Sequence, residues 1–175
     1  MNLNKMFDPR SIAVIGASRS PKKVGHDIFK GLLAAKKRVY PVNPNSKSIL
    51  NKKVYKSILD IKESIDLAII AVPSAFVQKV MEEVTEKNVP HTIIISAGFS
   101  EAGNVKLEEK ILSIAKGKTS VLGPNCIGII NPYKKLNASF FNKTPEKGST
   151  AFVSQSGALG VAILDWAIKN NIGLS

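Results

Sequence analysis

Five short apolar runs recur along the chain, at residues 11–15, 38–42, 67–72, 91–96 and 120–122. Their starts lie roughly 27 residues apart, the length of a strand plus a helix that returns alongside it. The third and fourth runs, Leu67-Ala68-Ile69-Ile70-Ala71-Val72 and His91-Thr92-Ile93-Ile94-Ile95-Ser96, do not alternate with polar residues. Such runs predict strands buried on both faces. Helical stripes fill the gaps. Ile28, Leu32 and Leu33 share one face of a helix predicted over residues 25–37. Phe76, Val77, Val80, Met81 and Val84 do the same over 74–87, with Ser74 as N-cap and Asn88, before Pro90, as stop. Leu107, Ile111, Leu112 and Ala115 mark a further helix that Gly117 ends. Strand and helix alternating through short links predict an α/β chain with a doubly wound parallel sheet and right-handed crossovers. Ligands of such sheets bind at the carboxyl ends of the strands.

Composition narrows the class. Hydrophobic residues make up 44% of the 175 and charged residues 22%, values of a globular chain rather than a disordered or fibrous one. No apolar run approaches the ~20 residues of a membrane span, and residues 1–10 lack the apolar core of a signal peptide. A lone cysteine, Cys126, leaves no intramolecular disulfide and no cysteine-based zinc site, and it suits a reducing cytoplasm. The net charge is +12, yet only three of the 25 basic residues are Arg, and aromatics are 6%. Base reading favours Arg, and single-strand binding favours stacked aromatics. The excess therefore reads as a lysine-rich surface that attracts anions, not as a nucleic-acid interface.

Near Gly123 the rhythm changes. Gly123-Pro124-Asn125-Cys126-Ile127-Gly128 is turn chemistry, and residues 131–147 read as a polar connection. A new strand, Thr150-Ala151-Phe152-Val153, then precedes a helix carrying Leu159, Ala162, Ile163 and Trp166. One strand-helix unit cannot bury both its faces. The expected organisation is a domain over 1–130, a linker over 131–147, and the start of a truncated or split second domain over 148–175. Such an exposed, incomplete unit invites a partner or a second copy of the chain.

The link between the first strand and the first helix reads Gly16-Ala17-Ser18-Arg19-Ser20-Pro21-Lys22-Lys23-Val24-Gly25. A helix N-terminus offers free N–H groups and a favourable dipole to a phosphate. Gly16 permits a tight turn, the hydroxyls of Ser18 and Ser20 are further donors, and Arg19, Lys22 and Lys23 add positive charge. The pattern is not G-x-G-x-x-G, because Ser18 stands where the second glycine of a dinucleotide fingerprint would be. The second run ends in Val42-Asn43-Pro44 without the acid that holds a free ribose diol in NAD sites. Lys47, Lys52 and Lys53 follow. This arrangement favours a phosphorylated ribose, which NADP and coenzyme A (CoA) both carry.

The remaining strand ends, Ala71-Val72-Pro73-Ser74, Ser96-Ala97-Gly98-Phe99 and Gly123-Pro124-Asn125-Cys126, should meet the first loop at one edge. Their side chains are small or amide, suited to a groove for an extended ligand, and none is an obvious general base. Glu101 and Asp165 lack a paired acid or histidine nearby in sequence. His26 and His91 read as structural, and Cys126 as a small buried residue.

In chain order these segments resemble a known family. Phe7-Asp8-Pro9-Arg10-Ser11-Ile12-Ala13-Val14-Ile15-Gly16-Ala17-Ser18 is similar to the opening of the CoA-binding domain of NDP-forming acyl-CoA synthetases, such as ADP-forming acetyl-CoA synthetase. Val42-Asn43-Pro44, Ala71-Val72-Pro73, Ser96-Ala97-Gly98-Phe99, Gly123-Pro124-Asn125-Cys126-Ile127-Gly128 and Ser154-Gln155-Ser156-Gly157-Ala158-Leu159-Gly160 follow in the family's order. The α subunit of succinyl-CoA synthetase is a more distant likeness.

The resemblance implies a Rossmann-like CoA-binding domain and then the first strand-helix unit of a flavodoxin-like ligase domain. It implies the interconversion of acyl-CoA, ADP and phosphate with free acid, CoA and ATP, through an acyl phosphate and a phosphohistidine. Gly16, Ala17, Ser18, Arg19, Ser20 and Lys22 would hold CoA phosphates, with Asn43, Pro44 and Lys47 near the nucleotide end. Val72, Pro73, Ile95, Ser96, Ala97 and Gly98 would line the groove, and Asn125 and Cys126 would face the thiol end. Ser154, Ser156 and Gly157 would bind a phosphate at the start of the last helix. The phosphorylated histidine of the family matches neither His26 nor His91. ADP or ATP, phosphate and Mg are expected to act only through an ATP-grasp domain or β subunit. The chain alone is then expected to bind CoA and not to turn over. Other classes consistent with the residues are a stand-alone CoA-binding regulatory module, a piece of a protein acetyltransferase and an NADP-dependent oxidoreductase.

Overall fold

The computed structural model describes residues 3–35 and 37–175. A short helix α1 (Asn4–Phe7) leads into β1 (Ser11–Ile15), α2 (Val24–Leu33) and β2 (Arg38–Val42). A small hairpin, β3 (Ser48–Ile49) and β4 (Lys52–Lys53), and a 3-10 turn (Ile58–Asp60) precede β5 (Leu67–Ile70), α3 (Ser74–Glu86) and β6 (His91–Ile94). A second 3-10 turn (Ser100–Ala102), α4 (Val105–Ala115) and β7 (Ser120–Leu122) complete the alternation. Then come β8 (Gly128–Asn131), β9 (Leu136–Ser139), β10 (Lys147–Thr150) and α5 (Gly157–Lys169).

The central sheet has five strands in the order β2-β1-β5-β6-β7, and every neighbouring pair is parallel. The chain leaves β1 to build β2 on one side, then builds β5, β6 and β7 on the other. The winding reverses between β1 and β5, so the carboxyl ends of these two strands flank the crevice where ligands of such sheets bind.

The two faces bury different residues, as the unbroken apolar runs predict. Ile12, Val14, Leu67, Ile69 and Ile93 pack with Ile28, Phe29 and Leu32 of α2. Ala13, Ile15, Ala68, Ile70 and Ile94 pack with Val77, Met81 and Val84 of α3 and Ile111 of α4. Burial of each large aliphatic chain stabilises the fold by roughly 1.5–3 kcal/mol.

Two local expectations change and a third holds. The first helix stops at Leu33 rather than at residue 37, because the chain must turn to enter β2 at Arg38. Ser74 is the first helical residue of α3, and Pro73 occupies the cap position. Asn88 does stop α3, in the left-handed conformation at φ 57°.

The largest departure is in 131–147, read above as a polar connection. It contains β9, which pairs antiparallel with β8 and buries Leu136 and Ala138 in the core on the α2 side. The buried Asn137 disguised this strand, because an amide reads as loop. Here its Nδ2 donates to the Phe141 carbonyl at 2.8 Å and its Oδ1 accepts from the Ser139 hydroxyl at 2.6 Å, so burial leaves neither end unmatched.

The last unit packs lightly. The strand expected at 150–153 lies three residues earlier, as β10, bridging in parallel to Leu174 from Lys147 and Thr150. Leu164, Ala167 and Leu174 form a small cluster with Ile130, Phe141 and Ile172. Phe152, Val153, Leu159 and Trp166 are exposed, Val153 at 95%. No helix among the described residues is long and apolar enough to cross a membrane.

Candidate functional site

All five parallel strands end at one edge, and hydrogen bonds join each end to its neighbour. The Gly16 N–H donates to the Val42 carbonyl at 3.0 Å, and the Ala71 N–H donates to the Ile15 carbonyl at 2.8 Å. The Ser96 hydroxyl donates to the Val72 carbonyl at 2.5 Å, and the Asn125 N–H donates to the Ser96 carbonyl at 3.0 Å. The rim from β1 to β7 crosses three strand intervals, about 14 Å.

The loop from β1 to α2 is shaped by contacts that only glycine allows. Gly16 is left-handed at φ 92°, and a Cβ there would lie 2.3 Å from the Ala71 carbonyl oxygen. A Cβ on Gly25 would lie 1.9 Å from the Gly16 carbonyl oxygen. The start of α2 is thereby pressed onto the loop. No side chain caps α2; the His26 and Asp27 N–H groups donate to the Lys23 carbonyl at 2.8 and 3.2 Å, so the Val24 and Gly25 N–H groups are the ones of this turn open to a ligand. The His26 Nδ1 lies 2.9 Å from the Ser18 carbonyl oxygen; a carbonyl only accepts, so this nitrogen carries the proton. The Ser18 hydroxyl in turn accepts from the Ser20 N–H at 3.1 Å. Arg19, Ser20, Lys22 and Lys23 are exposed around it. Lys22 holds a left-handed φ of 70°. The arrangement is a ring of donors and cations on a rigid base, suited to a phosphate or pyrophosphate.

The residues expected to contact CoA follow the carboxyl ends of the strands, some presented at the edge and others held beneath it, whereas His91 begins β6 at the opposite edge and Asp165 lies in α5. Gly16, Ser18, Arg19, Ser20 and Lys22 present the loop, while Ala17 is fully buried beneath it. Asn43 is committed within the protein, its Nδ2 donating to the Ala17 carbonyl at 2.7 Å and its Oδ1 accepting from the Asn45 N–H at 2.8 Å. Pro44 and Lys47 are exposed after β2. Val72 and Pro73 follow β5. Ile95 and Ser96 are buried at the end of β6, and Ala97 beside them is exposed. Gly98 is left-handed at φ 105°, and a Cβ there would come within 2.8 Å of the Ser74 hydroxyl.

At the far end of the rim lies a groove of about 470 Å³. The turn carrying Gly123, Asn125 and Cys126 forms one wall, and Ser154, Ser156 and Gly157 form another. The Ser156 hydroxyl caps α5 by accepting from the Leu159 N–H at 3.3 Å. The Ser154 hydroxyl accepts from the Ser156 N–H at 3.0 Å. The two segments, 28 or more residues apart in sequence, thus share one groove. The loop after β1 is not among its walls.

Cys126 is a packing residue in that turn. Burial pushes its thiol up to about 11, and Sγ–H donates to the Ile94 carbonyl at 3.4 Å. Only about one thiol in a thousand is then ionised at pH 8. Iodoacetamide labelling of the folded chain is expected to be slow at pH 8 and fast once urea unfolds it. Equal rates in the two states would contradict the burial.

Two residues shape the rim from behind: Gly25, to which sequence reasoning gave no such role, and His26, which it read as structural without its partner. The only signal for Gly25 was a second glycine nine residues after Gly16, at the start of a predicted helix. Nothing pointed to the partner of His26, because that partner is a backbone carbonyl.

A doubly wound parallel sheet with a glycine-shaped, cation-rich loop at its crevice and a groove at the far end of its strand-end rim defines an α/β domain of the Rossmann-like class. Within that class, the chain belongs to the CoA-binding domain family, whose model matches residues 10–132. It is 49% identical over 168 residues to an ADP-forming acetate–CoA ligase of Methanocaldococcus jannaschii, a match covering 95% of this chain and 24% of that protein. It is 47% identical over 177 residues to the α subunit of ADP-forming acetate–CoA ligase II of Pyrococcus furiosus, covering 99% of this chain and 38% of that subunit. Among solved structures, it superposes with a TM-score of 0.95 on the dinucleotide-forming acetyl-coenzyme A synthetase 1 of Ca. Korarchaeum cryptofilum in complex with phosphate and ADP. That match has 39% identity and covers 99% of this chain and 38% of the other. The chain therefore spans from about a quarter to two fifths of the length of these relatives.

Proposed function

We propose that the chain is the CoA-binding portion of an ADP-forming acyl-CoA ligase, which interconverts acyl-CoA, ADP and phosphate with free acid, CoA and ATP. The observation that carries this reading is the loop after β1. At the crevice of the sheet it combines left-handed Gly16, the uncapped start of α2, the hydroxyls of Ser18 and Ser20, and the charges of Arg19, Lys22 and Lys23. In this reading the loop holds the pyrophosphate. Lys47, exposed after β2, meets the ribose 3′-phosphate, where no acid stands to bind a free diol. The pantetheine arm runs along Val72, Pro73, Ile95, Ser96, Ala97 and Gly98, and its thiol reaches the groove beside Asn125 and Cys126.

Ser154, Ser156 and the start of α5 face that same groove. Two hydroxyls and a helix N-terminus there suit a transferred phosphate. The acyl group and its phosphate would meet the thiol at this place. The phosphorylated histidine, ADP or ATP and Mg belong, in this reading, to an ATP-grasp domain or β subunit outside these residues. The domain boundaries that follow are 1–130 for the CoA-binding unit and 148–175 for the start of the ligase unit, with β9 folded onto the former.

Calorimetric titration with CoA, dephospho-CoA and NADP tests the reading. CoA is expected to bind best, and dephospho-CoA to bind about tenfold or more weaker, the loss of one charge-assisted contact. Tighter binding of NADP than of CoA, or no CoA binding, overturns it. Acyl-CoA synthesis by the purified chain without any partner would contradict the assignment of the phosphoryl-transfer parts elsewhere.

A further inference from the structure

We infer that Glu101 is a positioning residue, whose carboxylate holds the Ser96-Ala97-Gly98 wall of the groove in place for the pantetheine arm. The inference rests on the CoA reading above. Glu101 lies in the exposed 3-10 turn after β6, where a carboxylate could be taken for a general base. Its oxygens are instead engaged with the backbone behind it. The Gly98 N–H donates to Oε1 at 2.5 Å, and the Phe99 N–H donates to Oε1 and Oε2, each at 3.2 Å. The Asn104 Nδ2 donates to the Gly98 carbonyl at 2.9 Å, and the Ser100 N–H donates to Glu108 Oε2 at 3.1 Å. Three side chains thus clamp three successive residues of one turn.

The clamped residues directly continue the Ser96-Ala97 segment at the centre of the rim. Ser96 donates to the end of β5 and accepts from the turn after β7. Gly98 sits against Ser74 at the start of α3, and Phe99 is fully buried. The buried Phe99 anchors the turn from below, and Glu101 closes it from the solvent side. The hydrogen bond from Gly98 holds its carboxyl below the usual range, so it is ionised at neutral pH. Both bonds are charge-assisted, the stronger kind. Because Glu101 is exposed, its removal takes nothing from the core. What it removes is the acceptor for two N–H groups whose direction sets the path of the wall.

Three chains, wild type, Glu101→Ala and Glu101→Gln, are compared by titration with CoA and with adenosine 3′,5′-bisphosphate, which lacks the pantetheine arm. Glu101→Ala is expected to bind CoA about tenfold more weakly and adenosine 3′,5′-bisphosphate as well as wild type does. Glu101→Gln keeps an acceptor oxygen for both N–H groups and is expected to recover most of the CoA affinity. The thermal midpoints should agree among the three chains. Unchanged CoA affinity in Glu101→Ala overturns the inference. So does a lowered midpoint with both ligands weakened together, which marks a purely structural role. Failure of the wild type to bind CoA overturns the CoA reading itself.

Discussion

Gly25→Ala is expected to abolish CoA binding and to lower the free energy of unfolding by about 3 kcal/mol or more, at or beyond the upper range for overpacking. The new methyl would fall 1.9 Å from the Gly16 carbonyl oxygen and 3.3 Å from the Ala17 Cα. Neither is the end of a flexible side chain, so α2 or the loop must move. The loop cannot absorb the shift, because Gly16 is itself wedged against the Ala71 carbonyl. Either movement separates the α2 N–H groups from the Ser18 and Ser20 hydroxyls. Gly103→Ala is the matched control. Gly103 has a left-handed φ of 81° but open space around a Cβ, so it bears only the conformational cost, about 1–2 kcal/mol. Urea denaturation and CoA titration of both variants check this. Wild-type binding by Gly25→Ala would mean that α2 does not rest on the loop as described.

The second large effect lies at the opposite edge of the sheet. Asp66→Ala is expected to cost about 2–4 kcal/mol, since one buried and one part-buried backbone donor lose their acceptor. Asp66 Oδ2 accepts from the Arg10 N–H at 3.0 Å, the Ser11 N–H at 3.3 Å and the Ser11 hydroxyl at 3.3 Å. Its Oδ1 accepts from Lys5 Nζ at 2.9 Å. These contacts tie the entry of β1 to the entry of β5, the two strands that flank the crevice. Desolvation is the largest influence on this carboxyl and acts upward. The bond from Lys5, the Arg10 N–H, the Lys5 charge and the Ser11 N–H outweigh it and hold the carboxyl below its ordinary value of 3.8. A depressed folded value stabilises the fold above the unfolded value. That contribution falls away as pH drops from about 4 through the folded value. The gap in stability between wild type and Asp66→Ala is therefore widest near neutral pH and narrows in acid. Lys5→Ala should cost far less, about 1 kcal/mol at most, because the lysine is 59% exposed. Urea midpoints of the three chains between pH 3 and 7 test this, and a pH-independent gap would contradict it.

Much of the rim was legible in the residues. Parallel strands buried on both faces must be apolar without alternation, so β5 and β6 announced themselves. Once five such strands are recognised, their carboxyl ends share an edge by construction. Gly16, Ser96, Gly98, Asn125 and Cys126 then fall on one rim without any knowledge of contacts. The family likeness carried the reading from an anion site to a CoA site, and the comparisons support that step.

Other features were invisible for stated reasons. The hairpin strand β9 carries an asparagine inside the core, and its polar character is matched only by Phe141 and Ser139 after folding. The partners of Glu101 gave no sign in the sequence because they are backbone N–H groups, which every sequence contains. His26 faces a carbonyl eight residues away that no pattern singles out.

The alternation of the five sheet strands with their helices, the face each of those helices buries and the place of the loop after β1 follow from the chain itself, because periodicity and turn chemistry are local. The tertiary structure alone decided which strands are neighbours, that Gly25 presses on Gly16, that β9 roofs α2, and that Ser154 and Ser156 share a groove with Asn125. Each of these is a contact between distant segments. Its energy depends on distances of a few ångströms that only the folded packing sets.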